Sequence, residues 1–575
     1  MKIKFKNQVM VLSLLSSLGL AGCKKDFLDS KYDVYATPTS VATDANTLYT
    51  FGNAMYTPLI NNALPYAFTA LDGNFFAAAS DEAQRSGNVP VGTLAFNQGT
   101  LSPINVPTDV NNYYTNMYEG IRAANFYLDY SKNFEEFLAR NRFRDQGTSA
   151  DIAYQRDRRL IGWYRGEARI ARAYYYFELS KRYGGVPIIT QTLDKTANPN
   201  VSKSSFDEVT NFIVSQIDTF KDSLQVNWKT SSSDKDQDGR FSKMSALALK
   251  SRVLLYAASP LHNPGNDVTK WQKAAEAARD VITGNFGLSL YTGGYRNYFI
   301  GFTAAQSGNP ETIMAVRSPA SNVPEQANYP IATPGGSSGI APSHNLVADY
   351  EYIGAPDATD IYKNRDPRLA ATVVTNNSTW NGRTIVESAG GSDDMAKANT
   401  SRTGYYLKKF ITDNVNLTQN GTAIHTWILF RYGEILLNYA EAMNEAYGPD
   451  AAPAGYTLTA RQALQLVRNR ASSLLPAVTA SSVTDFRNVL KHERRIELAF
   501  EDHRYWDLLR WKDAETVLNQ PIKGVTVTLN SNNTYNYQVV DAASRTFRAP
   551  AMYYFPFSQA EIVRSNGTLT QNPGY

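Results

Sequence analysis

The stretch 492–511 concentrates acids, arginines and histidines as an active site would. Three glutamates in it stand at helical spacing: Glu493, Glu497 and Glu501. On a helix these positions share one face, on which arginines can alternate with them. Covalent or acid–base catalysis would need a nucleophile beside a base, and this stretch shows no such pair. We therefore interpret it as a salt-bridge lattice, solvated or at an interface, with Trp506 and Trp511 as helix-packing anchors.

The sequence contains one weak indication of a metal-binding site. The five histidines show no HExxH or comparable spacing, so zinc is not predicted. Asp234, Asp236 and Asp238 alternate before Gly239, as in the first half of a calcium loop. The twelfth position is Ser245 and not the bidentate glutamate of such a loop. Possible structural calcium and a plain polar turn both stay open.

A single cysteine, Cys23, ends a leader with three lysines, an apolar run from Val9 to Leu20 and the small residues Ala21 and Gly22. This order is typical of a bacterial lipoprotein signal, and the apolar run is too short to span a membrane. We expect residues 1–22 to be removed and Cys23 to carry the acyl chains that hold a soluble body on a bilayer. One cysteine also leaves no disulfide framework.

Composition narrows the class of ligand. The formal charge is +4, with basic and acidic residues interspersed, so no basic face for nucleic acid is predicted. The chain contains 36 tyrosines, 26 phenylalanines and 7 tryptophans. A pyranose can stack its C–H face on an aromatic ring while neighbouring amides and carboxylates satisfy its hydroxyls.

We expect the ligand contacts to come from aromatic and polar residues in loops, with plain packing as the alternative for each ring. The candidates are Phe75, Phe76, Asp81, Tyr295, Asn297, Tyr298, Tyr329 and Trp380.

Apolar residues at helical spacing predict the elements that position these loops. Phe206, Val209, Ile213 and Ile217 step by three and four behind a capping box. Further helices are predicted over 245–258, 271–282, 435–445 and 460–471, with alanine-rich seams that let helices approach closely. Long Gly, Ser, Asn and Pro-rich stretches, 287–347 and 375–403, separate them and are far longer than ordinary connectors.

Four blocks, at 165–187, 239–260, 431–471 and 493–511, resemble the SusD/RagB family of outer-membrane nutrient-binding lipoproteins. The last is the most specific, with Glu-Arg-Arg-Ile-Glu-Leu-Ala-Phe-Glu followed by Arg-Tyr-Trp-Asp-Leu-Leu-Arg-Trp. The resemblance implies a mainly α, tetratricopeptide-like helical-repeat scaffold with long irregular loops and few short strands packed on one side. It implies one unit over 23–575, with the scaffold mainly at 108–285 and 428–515 and ligand-side loops mainly at 60–105, 287–425 and 520–552.

The resemblance also implies a function. The protein is expected to be a non-catalytic, outward-facing lipoprotein of the outer membrane that binds an oligosaccharide and delivers it to a SusC-like TonB-dependent transporter. A peptide or glycopeptide receptor of the same architecture is an alternative. A surface glycosidase is a weaker one, because no pattern marks the two carboxylates that such an enzyme needs.

Overall fold

The computed structural model describes residues 45–62, 76–87, 89, 91–144, 147–193, 201–228, 238–306, 308–470 and 473–575. The predicted signal segment, Cys23, Phe75, Asp234 and Asp236 lie outside the described residues. Within them 47% of the structure is helix and 10% is strand, in short two-stranded sheets. The prediction of a mainly α, tetratricopeptide-like fold is confirmed. No helix in this described part is long and apolar enough to cross a membrane.

The helices are, in chain order, α1 Ala45–Ala54, α2 Thr57–Asn62, α3 Val91–Asn97, α4 Thr108–Arg144, α5 Thr148–Tyr183, α6 Phe206–Phe220, α7 Lys243–Ala258, α8 Val268–Ile282, α9 Tyr295–Phe299, α10 Val323–Asn328, α11 His344–Asp349, α12 Pro367–Thr372, α13 Tyr432–Tyr447, α14 Ala460–Arg468, α15 Val483–Glu497, α16 Arg504–Trp511, α17 Ala514–Val517 and α18 Gln559–Arg564.

The strands are β1 Ala83–Arg85, β2 Thr312–Arg317, β3 Ile340–Pro342, β4 Val373–Val374, β5 Thr379–Trp380, β6 Arg383–Thr384, β7 Tyr406–Leu407, β8 Thr426–Arg431, β9 Ile522–Leu529 and β10 Tyr535–Ala543. They pair antiparallel as β1 with β3, β2 with β8, β4 with β7, β5 with β6 and β9 with β10.

The chain divides into two compact units. One contains 45–51 and Tyr130–Arg158 among the described residues, and the other contains Gly52–Asp129 and Arg159–Tyr575. In the first unit Tyr49 donates a hydrogen bond to Asp157 at 3.2 Å. The second unit holds the helix pairs, the sheets and the loops described below.

Helix pairing in the larger unit follows the predicted seams. α8 packs against α7 and α13, and α13 also contacts α14 and α15. Ala274, Ala275 and Ala278 on α8 are buried, which permits the close approach of these helices. α6 begins at the predicted capping box, where Ser205 and Glu208 each bond the backbone N–H of the other. It ends at Phe220, and a short 3₁₀ turn follows, Lys221–Ser223.

The acidic face of α15 lies inside the protein. Glu493 and Glu497 are fully buried, and both bind Arg368. Arg431 at the end of β8 bonds Glu497 at 2.8 Å and Glu501 at 2.6 Å. The predicted lattice is therefore real, but it is buried and not solvated. Trp506 and Trp511 are buried as the packing interpretation expects.

Neighbouring arginines favour the charged form of Glu497 in this lattice. Burial alone would raise the pKa of Glu497, but three surrounding guanidiniums, led by Arg470 and Arg431, outweigh burial and hold the pKa below its usual range. Because buried ionic groups are stable only when they are paired and hydrogen-bonded, the lattice ties β8, α12 and α15 into one arrangement. Because the charged groups described here are paired with one another, we assign the lattice a structural role.

Candidate functional site

Phe76 does not present its ring to a ligand. It lies in a 3₁₀ turn, Phe76–Ala79, and its side chain is 2% exposed. Its ring centroid is 5.0 Å from that of Trp506 and 5.6 Å from that of Phe96. The predicted ligand contact is corrected to a core-packing role, because neighbouring rings cover this one.

Asp81 is also buried, and its carboxylate is paired with arginines. It accepts hydrogen bonds from Arg504 at 2.9 and 3.0 Å and lies 2.9 Å from Arg495. Burial would raise the pKa of Asp81, but the two guanidiniums together hold it well below its usual range. The carboxylate is therefore an ion-pair partner that anchors α15 and α16 to the segment before β1, and the predicted ligand contact is corrected.

Tyr295 and Tyr298 on α9 are core residues. Their side chains are 3% and 1% exposed. The Tyr295 hydroxyl donates to the carbonyl of Glu497 at 2.6 Å, and the Tyr298 hydroxyl lies 2.8 Å from Thr312 Oγ1. Neither ring is available for stacking, so their predicted contacts are corrected as well. Asn297 between them is exposed and donates to the carbonyl of Gly293, and its predicted ligand contact stays a prediction.

Tyr329 and Trp380 form a buried pair. Their side chains are 0% and 1% exposed, and their ring centroids lie 6.0 Å apart in an edge-to-face arrangement. The Tyr329 hydroxyl donates to the carbonyl of Thr412. These two predicted contacts are corrected to packing inside the loop region, which is far more densely folded than its polar composition indicates.

The calcium prediction rests mainly on residues outside the described part. Asp238 is described, and it lines a cleft of about 710 Å³ beside β2 together with Arg240 and Phe302. Within the described ranges no group of three His, Cys, Asp or Glu side chains is placed to hold a metal ion. Calcium at Asp234, Asp236 and Asp238 stays a prediction.

A different set of aromatic residues meets at the surface of the loop region, and we call it the tyrosine cluster: Tyr362, Tyr405, Tyr535 and Tyr537. The ring centroid of Tyr362 lies 5.3 Å from that of Tyr537 and 6.1 Å from that of Tyr405. The ring centroids of Tyr535 and Tyr537 are 6.2 Å apart. Tyr405 is fully buried, whereas the other three rings stay partly exposed.

Local sequence explains how the cluster forms. β9 and β10 are joined by a turn in which Asn533 adopts a positive φ of 61°. At the turn entrance the backbone N–H of Asn530 donates to the carbonyl of Thr534, and the Asn530 side-chain amide donates to Thr534 Oγ1. Residues two apart on a strand share a face, so Tyr535 and Tyr537 emerge together on β10. The alternation of tyrosine with Asn536 directly after an Asn-rich turn is the sequence signal that our prediction missed.

Hydrogen bonds orient the rings. The Tyr362 hydroxyl donates to the Tyr405 hydroxyl at 3.4 Å, and the Tyr405 hydroxyl lies 2.8 Å from Nδ1 of His344. Asn376 donates from its side-chain amide to the Tyr537 hydroxyl at 3.5 Å. The cluster therefore combines ring surface with a fixed set of hydroxyl, amide and imidazole groups.

The groups of the cluster are uncharged at neutral pH. Burial raises the pKa of Tyr362, Tyr405 and Tyr537, so the phenols keep their protons. Burial, with a smaller effect of Arg365, lowers the pKa of His344, so its imidazole is neutral. Such a surface suits stacking and hydrogen bonding with a polyhydroxyl ligand.

Glu387 lies close beneath this region. Its side chain is 3% exposed, and its backbone N–H donates to the Asn376 side chain at 3.0 Å. Burial, reinforced by the charge of Asp393, raises the pKa of Glu387 well above its usual range. The surroundings thus favour the protonated form of this carboxyl group.

Comparison with known proteins gives the family. Residues 305–575 match the SusD family, and residues 26–255 match a SusD-like family described as starch-binding and associating with the outer membrane. A SusD-like protein P38 of Formosa agariphila is 28% identical over 383 residues, which are 63% of this chain and 69% of that protein.

Solved structures share the fold along almost the whole chain. A SusD-like protein of Bacteroides fragilis superposes with a TM-score of 0.72 at 25% identity, covering 93% of this chain and 98% of that one. A SusD-like carbohydrate-binding protein of the same species gives a TM-score of 0.72 at 22% identity, with 92% and 99% covered. The predicted family is confirmed, and so is the predicted non-enzymatic class. The chain belongs to the SusD/RagB family, whose members are non-catalytic glycan-binding proteins associated with the outer membrane.

Proposed function

We propose that this protein captures an oligosaccharide at the tyrosine cluster and delivers it to a SusC-like TonB-dependent transporter. A lipid on Cys23 would hold it on the outer membrane, facing outward. The observation that carries the proposal is the meeting of Tyr362 and Tyr537 at 5.3 Å on the loop surface of a SusD-family fold.

The binding chemistry follows from the cluster. A pyranose ring has apolar C–H faces bordered by hydroxyls, and a partly exposed tyrosine covers such a face while its hydroxyl exchanges hydrogen bonds with the sugar. The hydroxyls of the cluster are already oriented by His344 and Asn376, so little ordering remains when the ligand binds. Because phenols and a neutral imidazole form the surface, we expect neutral glycans to be preferred over anionic ones.

The anchor and the partner rest on sequence and family. A lipid at Cys23 would confine the protein to the same leaflet as the transporter, which raises the effective concentration of each for the other. Delivery then needs a moderate affinity, since a ligand that dissociates too slowly is not passed on.

Two experiments test the proposal. Isothermal titration of the purified protein against malto-oligosaccharides, laminari-oligosaccharides and peptides, with product analysis, is expected to show saturable glycan binding without turnover. Peptide binding alone would favour the peptide receptor, and turnover would favour the glycosidase. Affinity purification from native membranes is expected to recover an outer-membrane barrel with the wild-type protein but not with Cys23→Ser; failure to recover a barrel with wild type contradicts delivery.

A further inference from the structure

A second concave surface of the larger unit is formed by elements other than those of the tyrosine cluster. It is a groove of about 350 Å³ between α4, the segment after α5 and the region of α18. Tyr114 and Tyr118 line it from α4, Pro187 and Ile189 from the second segment, and Leu569 beyond α18. We call it the helical-face groove; it shares no residue with the tyrosine cluster.

The two tyrosines are held in place without a ligand. They stand one helical turn apart, and their ring centroids are 4.9 Å apart. The Tyr118 hydroxyl donates to the carbonyl of Pro187 at 2.8 Å, while the Tyr114 ring packs 5.2 Å from Tyr183. Both remain partly exposed. The groove therefore presents preorganised tyrosine surface, which limits the entropy lost on binding.

The rim carries balanced charge. Glu119 and Arg122 lie on α4, and Glu561 and Arg564 form an ion pair on α18, so the groove is lined by two acidic and two basic side chains. A surface with equal charges of both signs favours neither an anion nor a cation. It can, however, accept from and donate to hydroxyl groups, which are both donors and acceptors.

The groove adjoins a second, smaller pocket. A smaller pocket of about 170 Å³ shares Tyr118, Arg122 and Ile189 with it and extends to Gln191 and Asn125. The Asn125 amide is buried and bonded to the carbonyls of Ile189 and Gln191 and to Arg172, so it shapes the wall of this pocket, and the polar groups at its edge are those of Arg122 and Gln191. Two adjoining pockets that share a tyrosine wall and have polar groups at their edge offer room for more than one sugar unit.

We propose that the helical-face groove is a second carbohydrate-binding site, which takes a neutral oligosaccharide independently of the tyrosine cluster. Its volume lies within the range of about 300–1,000 Å³ typical of ligand sites. The inference rests on the proposed function, since it assumes that the protein binds glycans. Two sites on one chain would let it hold a long glycan at two points, with a gain in avidity.

Isothermal titration with malto- and laminari-oligosaccharides tests the proposal by stoichiometry. The wild-type protein is expected to bind two equivalents. Thr115→Trp, at an exposed position on the groove wall, fills the groove and is expected to leave one equivalent, as is Tyr118→Ala. Asn211→Trp, on the exposed side of α6, is the matched control and is expected to keep two. Circular dichroism melts confirm that each variant is folded.

The outcomes separate the two proposals. Tyr537→Ala is expected to remove the other equivalent, and Tyr537→Ala combined with Thr115→Trp is expected to remove both. One equivalent in the wild type, lost in Tyr537→Ala and unaffected by Thr115→Trp, overturns the second site and leaves the proposed function intact. Absence of glycan binding in the wild type contradicts the proposed function and removes the second site with it.

Discussion

The Nδ1 atom of His344 lies 2.8 Å from the hydroxyl oxygen of Tyr405, which in turn accepts from Tyr362 at 3.4 Å. The Tyr405 hydroxyl donates a hydrogen bond to His344 and accepts one from Tyr362. It therefore links the start of α11 to the partly exposed ring of Tyr362. The imidazole is neutral in this arrangement, because Nδ1 must accept. A contact between two residues that are 61 positions apart thereby helps to orient the tyrosine cluster.

This relationship predicts a pH dependence. The folded protein lowers the pKa of His344 below its ordinary 6.5 by burial, so the unfolded chain takes up a proton first as the pH falls. Stability is then lost progressively below about pH 6.5 and is unaffected by this group above it. Melting temperatures of wild type and His344→Gln between pH 7.5 and 5.5 check this. The wild type should lose more stability on acidification; equal losses in both proteins contradict the assignment.

For Glu387 we expect stability to change with pH in the opposite direction. Its folded pKa is raised by burial and then by Asp393, so its contribution is fully present below the unfolded value of about 4.3 and is lost as the pH rises through the folded value. Glu387→Gln keeps the shape without the ionisation. We expect the variant to become more stable than wild type at pH 8 and to lose this advantage near pH 4. Glu276→Gln, on the exposed side of α8, serves as control and should show no such crossover.

Replacement of Arg431 is expected to cause a large loss of stability. It is 1% exposed and bonds three buried glutamates, Glu311, Glu497 and Glu501. Arg431→Met leaves buried charge uncompensated and should lower the free energy of unfolding by about 3–5 kcal/mol. Denaturant unfolding measures this.

The control for Arg431 is an exposed pair. Lys523 and Asp541 are cross-strand neighbours on β9 and β10, and their side chains are 40% and 64% exposed. Lys523→Ala should cost less than about 1 kcal/mol. Similar losses for Arg431→Met and Lys523→Ala would show that the buried lattice contributes little beyond an ordinary surface pair.

The helical scaffold could be predicted from local sequence patterns, whereas the tyrosine cluster and the burial of the loop aromatics could not. The capping box at Ser205 and Glu208 acts within one helical turn, so the sequence specifies it directly. The burial of Tyr295 and Trp380 depends on chain segments far away in sequence, such as Lys409, which bonds the Tyr295 hydroxyl at 2.8 Å. Composition could not distinguish these buried rings from exposed ones.

The α15 lattice shows the same division. Helical spacing correctly placed Glu493 and Glu497 on one face, but the partner Arg368 comes from 125 and 129 residues away. Whether that face met solvent or protein was therefore decided by tertiary contacts. The tyrosine cluster is similar, because Tyr362, Tyr405 and Tyr537 come from three separate segments and meet only in the folded protein.

The central claim is that the tyrosine cluster binds the glycan. Titration of Tyr537→Ala with the oligosaccharide that binds wild type measures it most directly. Phe302→Ala is the control, since Phe302 is an exposed aromatic residue outside the cluster. Losing a stacking ring should weaken binding at this site at least tenfold, or about 1.4 kcal/mol, with little change in melting temperature. Unchanged affinity and stoichiometry in a folded Tyr537→Ala protein would contradict the claim.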